Sequence, residues 1–293
     1  MPPVNLVRYS FQMGIKIAIG GKGGVGKTTA CAVWAQLFAE DGFDVLAIDA
    51  DPNTNLCAAF GIPSERSPEP LVKMKQLIAE RTGTRKDTVG AYFRLNPKVS
   101  DLPDRYRLEV NGTGYQTRKD AFGGHLKLLV LGGISQAGAG CACPEGAFLK
   151  ALLTHTILQR QEVVLVDLAA GPEFMGRASV QGIDALVVVV EPGSRSTQTA
   201  INIARMAKEL GIKQVAAIIN KVTDVGQVET VKSQLEGMTI LSSIEYCPAV
   251  QEADLQRKAV FQTSPELVNK LREAKNALKN LIPAGVGSNV SSK

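Results

Sequence analysis

Gly21-Lys22-Gly23-Gly24-Val25-Gly26-Lys27-Thr28-Thr29 is the stretch on which the fold turns. It follows a short apolar run, Ile15 to Ile19. It opens a segment from Thr28 to Glu40 whose apolar residues Ala30, Val33, Trp34, Leu37 and Phe38 recur at helical spacing. Strand, glycine loop and helix in this order let backbone N–H groups converge on phosphate oxygens, and the helix N-terminus adds positive potential. The expected phosphate contacts are Gly23, Gly24, Val25, Gly26, Lys27, Thr28 and Thr29. Lys27 can reach the β- and γ-phosphates, and the Thr28 hydroxyl can take a Mg²⁺ coordination position.

Outward from this loop, strands alternate with helices. Val45 to Ile48, Leu126 to Leu131, Glu162 to Leu168, Ala185 to Val190 and Gln214 to Ile219 are near-continuous apolar runs. Such runs suit strands buried on both faces of a parallel sheet. Helical segments are predicted at Ala147 to Gln159, Thr197 to Leu210 and Val228 to Leu235, with a closing helix from Pro265 to Leu281. The rhythm is that of a single doubly wound α/β domain with helices on both faces of a mostly parallel sheet. Residues 61–124 break it: they are polar, carry five prolines and offer one good helix, Leu71 to Arg81. We read them as an irregular elaboration of the one domain, and the Gly/Ser-rich tail from Pro283 as lacking regular structure.

Composition bounds the classes. The 293 residues are 45% hydrophobic and 21% charged, ordinary values for a globular chain with a core. No apolar run approaches a bilayer span. The first dozen residues lack a signal-peptide pattern, and Met13 offers an alternative start. Five cysteines without framework spacing fit a reducing compartment, so the cytoplasm is the expected location. The net charge of +5 is modest, and neither nucleic acid nor membrane is the expected partner. The closing helix is amphipathic and basic, and we read it as packed rather than as a membrane anchor.

Acidic residues stand at strand ends, where ligand-binding groups gather in open α/β sheets. Asp49 and Asp51 close the second strand, and Asp167 closes the run from Glu162, with Gly171 four residues on. Asp49 can contact Mg²⁺ through water. The Asp167 to Gly171 stretch matches a Walker B or switch II segment, a resemblance that implies Asp167 near Mg²⁺ and a Gly171 amide able to sense a γ-phosphate. Asn220 and Lys221 close a later strand.

Lys22 is a second lysine that an ordinary phosphate loop does not need. Its placement resembles the deviant Walker A motif shared by MinD, ParA and the nitrogenase iron protein. The resemblance implies that Lys22 crosses a homodimer interface to the partner's nucleotide. It also implies that Asp51 is the switch I aspartate positioning the attacking water, and that Asn220-Lys221 reads the adenine base. Lys22, Lys27, Asp51 and Asp167 are then the catalytic set of a Mg²⁺-dependent ATPase.

Cys141 and Cys143 lie in Gly138-Ala139-Gly140-Cys141-Ala142-Cys143-Pro144-Glu145, on a glycine-rich loop. Two thiols so close suit a soft or borderline metal better than a strained disulfide. They fill half of a four-coordinate site, and neither His125 nor His155 has ligand spacing to them. Two such loops across a two-fold axis would supply four thiolates. Cys31 is most simply a small core residue.

These features together resemble the CooC-type ATPases, which help insert nickel into carbon monoxide dehydrogenase or a related enzyme. The matching pieces are Gly21 to Thr29, Asp49 to Leu56, Leu95 to Asp101, Gly140 to Pro144, Asp167 to Arg177, Val189 to Pro192 and Asn220-Lys221. The resemblance implies Ni²⁺, with Zn²⁺ also acceptable to thiolates, held by Cys141 and Cys143 of both subunits. It implies ATP and Mg²⁺ as further ligands. Its clients would be carbon monoxide dehydrogenase or acetyl-CoA synthase. Two other functions stay open from sequence: a spatial organiser of the MinD or ParA kind, and an iron–sulfur ATPase like the nitrogenase iron protein.

Overall fold

The computed structural model describes residues 14–83, 94–110, 125–133, 147–148, 151–152, 162–172 and 182–282. The Cys141–Cys143 pair, His155, the first 13 residues and the tail from Pro283 lie outside the described residues.

Eight strands form one sheet: β1 (Ile15–Gly21), β2 (Asp44–Ala50), β3 (Leu108–Glu109), β4 (Leu126–Val130), β5 (Glu162–Leu168), β6 (Ala185–Val190), β7 (Gln214–Val222) and β8 (Thr239–Glu245). Their order is β3-β4-β2-β5-β1-β6-β7-β8, parallel throughout except that β3 runs antiparallel to β4. The doubly wound class read from the sequence is therefore the observed one. β1 lies between β5 and β6, so the loop that follows it emerges near the middle of the sheet.

Apolar clusters cover both faces. On one, the Lys27–Glu40 and Pro265–Leu281 helices pack with Ile17, Ile19, Val45 and Leu165. On the other, the Ser194–Glu209 helix packs with Ala18, Ile48, Val166 and Val188. The Lys27–Glu40 helix is buried along ten consecutive residues, Ala30 to Ala39. It sits between the sheet and the closing helix, and a helix buried all round needs no polar stripe. The closing helix buries Leu267, Val268, Leu271, Ala274 and Leu278, and the Trp34 indole donates to the Leu271 carbonyl at 2.9 Å. Its apolar face is thus packed, as expected.

Some elements differ from the sequence reading. The predicted Leu71 to Arg81 helix divides into a 3₁₀ turn, Leu71–Lys73, and an α-helix, Lys75–Thr82, that ends on Gly83 in the left-handed region. The Val228 to Leu235 prediction begins earlier, at Val225, because Asp224 caps the helix by accepting from the Gly226 amide. Of the Ala147 to Gln159 helix, residues 147–148 and 151–152 are described, and they are helical. Among the described residues, 61–124 also hold three short elements that were not predicted: the Ser64–Arg66 3₁₀ turn, the Leu102–Tyr106 helix and β3. Arg81 fastens this region with two hydrogen bonds to Asp101, at 2.7 and 2.6 Å, and one to the Lys98 carbonyl at 2.9 Å.

Candidate active site at the carboxyl edge of the sheet

The sheet register aligns the expected site residues. Asp167 on β5 lies opposite Ile19 of β1 on one side and Asp49 of β2 on the other. Gly21 lies opposite Val189 of β6. The phosphate loop, both strand-end aspartates and the turn after β6 thus meet at one edge.

The loop's glycines answer to close neighbours. A Cβ on Gly21 would stand 2.4 Å from the Val189 carbonyl oxygen. Gly26 has φ +102°, and a Cβ there would stand 2.5 Å from Asn220 Nδ2. Both positions admit glycine alone without rearrangement. Lys27 begins the helix, is 6% exposed, and folds back to donate to the Lys22 carbonyl at 3.2 Å. Burial pushes its pKa down, while Asp167 and Asp51 act to keep it charged.

Asp167 is fully buried, and neither carboxylate oxygen has a formed hydrogen bond. Burial raises its pKa to about 7; the Thr28 hydroxyl, close enough to lower it but without the geometry of a full hydrogen bond, and the Lys27 charge pull the other way, and Asp49 and Asp51 add to the rise. An orphaned buried carboxylate beside a threonine hydroxyl has donor chemistry that a cation would satisfy. The donor set, hard oxygens at a phosphate loop, fits Mg²⁺.

Asp49 is also fully buried, but both of its oxygens are used: Oδ1 accepts from the Asp51 amide at 3.2 Å and Oδ2 from the Leu56 amide at 2.8 Å. Burial lifts its pKa to about 6 against these two hydrogen bonds, and the Asp51 charge adds to the rise. Asp49 therefore shapes the turn that carries Asp51. Asp51 is partly exposed, and its Oδ1 accepts from the Asn53 amide at 2.8 Å. The Gly171 amide donates to the Gly21 carbonyl at 3.0 Å, which ties the segment after β5 to the phosphate loop.

On the other flank, Asn220 Nδ2 donates to the Val25 carbonyl at 2.8 Å and Lys221 Nζ to the Gly24 carbonyl at 2.6 Å. These two residues brace the loop, a role the sequence did not reveal. Lys221 holds φ +59°, uncommon for a residue with a Cβ. Glu191, just past β6, was not singled out by sequence reasoning. Its Oε1 lies 2.9 Å from Lys22 Nζ and its Oε2 3.8 Å from Lys221 Nζ. A lone glutamate after an apolar strand carries no spacing signal, so only the fold exposes this pairing.

Cys31 is completely buried under the loop; burial and then the nearby Asp167 and Asp49 push its thiol pKa well up. That agrees with its reading as a core residue. Among the described residues no group of three or more His, Cys, Asp and Glu could hold a metal ion, and no helix is long and apolar enough to cross a membrane.

Comparison with known proteins bears on this geometry. Residues 16–260 match the CobQ/CobB/MinD/ParA nucleotide binding domain. The carbon monoxide dehydrogenase accessory protein CooC of Rhodospirillum rubrum is 40% identical over 266 residues, covering 90% of this chain and 96% of that protein. An ATP-binding protein of Methanocaldococcus jannaschii is 39% identical, over 84% of this chain and 91% of its own length. Among solved structures, the MinC:MinD cell division complex of Aquifex aeolicus aligns with a TM-score of 0.63 at 18% identity, covering 91% of this chain and 96% of that one. At that identity the likeness is one of fold.

Proposed function

The chain belongs to the CobQ/CobB/MinD/ParA family of nucleotide-binding domains and to its CooC-type branch, and from that premise we propose that it is an ATP-driven nickel metallochaperone. ATP would bring two copies together, nickel would be held between their cysteine loops, and hydrolysis would loosen the dimer beside a nickel enzyme. The observation that carries the ATPase reading is the unpartnered, buried Asp167 carboxylate set beside Thr28 and Lys27 at the mouth of a phosphate loop.

In this reading the backbone from Gly23 to Thr29 cradles the phosphates and Lys27 compensates their charge. Thr28 and Asp167 would hold Mg²⁺, which supplies charge neutralisation across the β- and γ-phosphates. Asp51 orients the attacking water on a turn that the Asp49 carboxylate holds in shape. Gly171 exchanges its bond to the Gly21 carbonyl for a γ-phosphate oxygen and so reports the nucleotide state. Asn220 keeps an amide oxygen for the base while its nitrogen braces Val25. Lys22 serves the partner's nucleotide.

Nickel is cargo. Cys141 and Cys143 of each chain would supply two thiolates, and the dimer four. The CooC relative supports carbon monoxide dehydrogenase as client, with acetyl-CoA synthase a chemically similar recipient. The test is an anaerobic nickel titration with and without ATP, the molecular mass being measured in each state. Metal affinity should rise when ATP is present, and by thermodynamic linkage ATP affinity should rise by the same factor when nickel is present. Cys141→Ser with Cys143→Ser should lose the metal and keep ATP-driven dimerisation. Nickel retained by that double variant would place the metal elsewhere.

A further inference from the structure

Lys22 is expected to act on the partner's nucleotide, yet in the single chain it is already engaged. Its Nζ lies 2.9 Å from Glu191 Oε1, with both side chains only partly exposed. The other Glu191 oxygen faces Lys221 Nζ at 3.8 Å, and Lys221 in turn donates to the Gly24 carbonyl. Glu191 is fixed from behind: it follows β6 directly, and its amide donates to the Ser196 hydroxyl at 3.1 Å. One carboxylate therefore spans the lysine of the phosphate loop and the lysine that braces that loop.

We propose that Glu191 is a positioning residue that holds Lys22 in cis and competes with the partner's phosphates for it. The inference rests on the nucleotide-sandwich reading of Lys22. A lysine ammonium is a compact charge at the end of a flexible stem, so reaching across an interface carries it away from an anion of its own chain. For Lys22 to reach across the interface, its bond to Glu191 must be exchanged for one to phosphate. ADP or an empty partner site offers less negative charge at the γ position, so Lys22 stays on Glu191 and the chains stay apart. ATP in the partner offers the competing anion. Glu191 thus raises the threshold for dimerisation and sharpens its dependence on the γ-phosphate. The contact is partly solvated, so it acts as a trim on the equilibrium rather than a lock.

Glu191→Gln keeps the shape and removes the charge. With ATP and Mg²⁺ under conditions of slow turnover, sedimentation should show the dimer forming at lower protein concentration. The shift should be about threefold per released lysine, about tenfold for the two in a dimer. Structural damage would weaken assembly, so a gain has the opposite sign. In the Lys22→Ala background the same Glu191→Gln change should have no effect, because Glu191 acts through Lys22 and not through Lys221. An unchanged or weaker dimer for Glu191→Gln, or an equal gain in the Lys22→Ala background, overturns the proposal. Failure of the underlying reading looks different: Lys22→Ala alone would then dimerise with ATP as wild type does.

Discussion

Asp167 is unexposed and has no formed hydrogen bond, and such a carboxylate weakens the nucleotide-free fold. In the proposed mechanism a cation entering with the nucleotide supplies the missing partner. Asp167→Asn should therefore separate stability from activity. In urea titration without Mg²⁺ or nucleotide the variant should gain about 1–3 kcal/mol, because a buried charge is removed. Its Mg²⁺-dependent ATP turnover should fall about a hundredfold or more. A variant that is both less stable and fully active would contradict the assignment. Asp51 differs, being partly exposed and hydrogen-bonded within its own turn. Asp51→Asn should bind ATP close to normally and lose at least about tenfold in turnover, read by nucleotide binding and phosphate release on the same sample. Undiminished turnover would remove Asp51 from the mechanism.

Among the elements, the joint between the Lys27–Glu40 and Pro265–Leu281 helices holds the phosphate-loop helix from its far end. Asp41 caps the first helix and pairs with Lys275 at 2.8 Å and Lys279 at 2.5 Å; Lys275 is 1% exposed and also donates to the Leu37 carbonyl. The pKa directions of the two partners do not mirror each other. Burial pushes Asp41 up, but the hydrogen bonds and charges of the two lysines outweigh it and the net shift is down. Lys275 also moves down, because its own burial outweighs the attraction of Asp41. Asp41→Asn should cost about 2–4 kcal/mol at neutral pH by leaving Lys275 buried without its counter-charge. Because the folded pKa of Asp41 is depressed, this stabilisation is present above the ordinary aspartate range and is lost as pH falls through the folded value. Urea curves of wild type and variant should diverge at pH 7 and converge below about pH 4. Divergence at both would show that packing, not charge, holds the joint.

The same scale shows what the sequence made legible. β1, β2, β4, β5, β6 and β7 are flanked by other strands and buried on both faces, so they read as unbroken apolar runs. β8 escaped because it is the edge strand: Thr239–Glu245 mixes exposed and buried residues, and Ser242 and Ser243 interrupt its apolar pattern. β3 is two residues long and too short to show a period. The phosphate loop and strand-end acids were legible because backbone chemistry fixes their spacing. Glu191 and the bracing by Asn220 and Lys221 were not, since they join segments about 170 and 195 residues apart in the chain.

Across the whole molecule, parallel strands bring β1, β2, β5, β6 and β7 to one edge, where the phosphate loop and the acids meet. The two cysteines expected to hold metal follow β4, the strand hydrogen-bonded to β2 on the side away from β5. Leu131 and Gly132, just beyond β4, donate to the Asp49 carbonyl at 2.8 and 3.0 Å, so the chain leaving β4 is bonded to the turn that carries Asp51. We propose that nucleotide and metal are coupled through the pairing of two chains at this edge. Native mass spectrometry of the anaerobic protein with nickel, Mg²⁺ and ATP tests this most directly, because it counts chains and metal ions in one particle. The account predicts a species of two chains carrying one nickel, which dissociates to metal-poor single chains when ADP replaces ATP. A single chain holding one nickel tightly, whichever nucleotide is present, would contradict it.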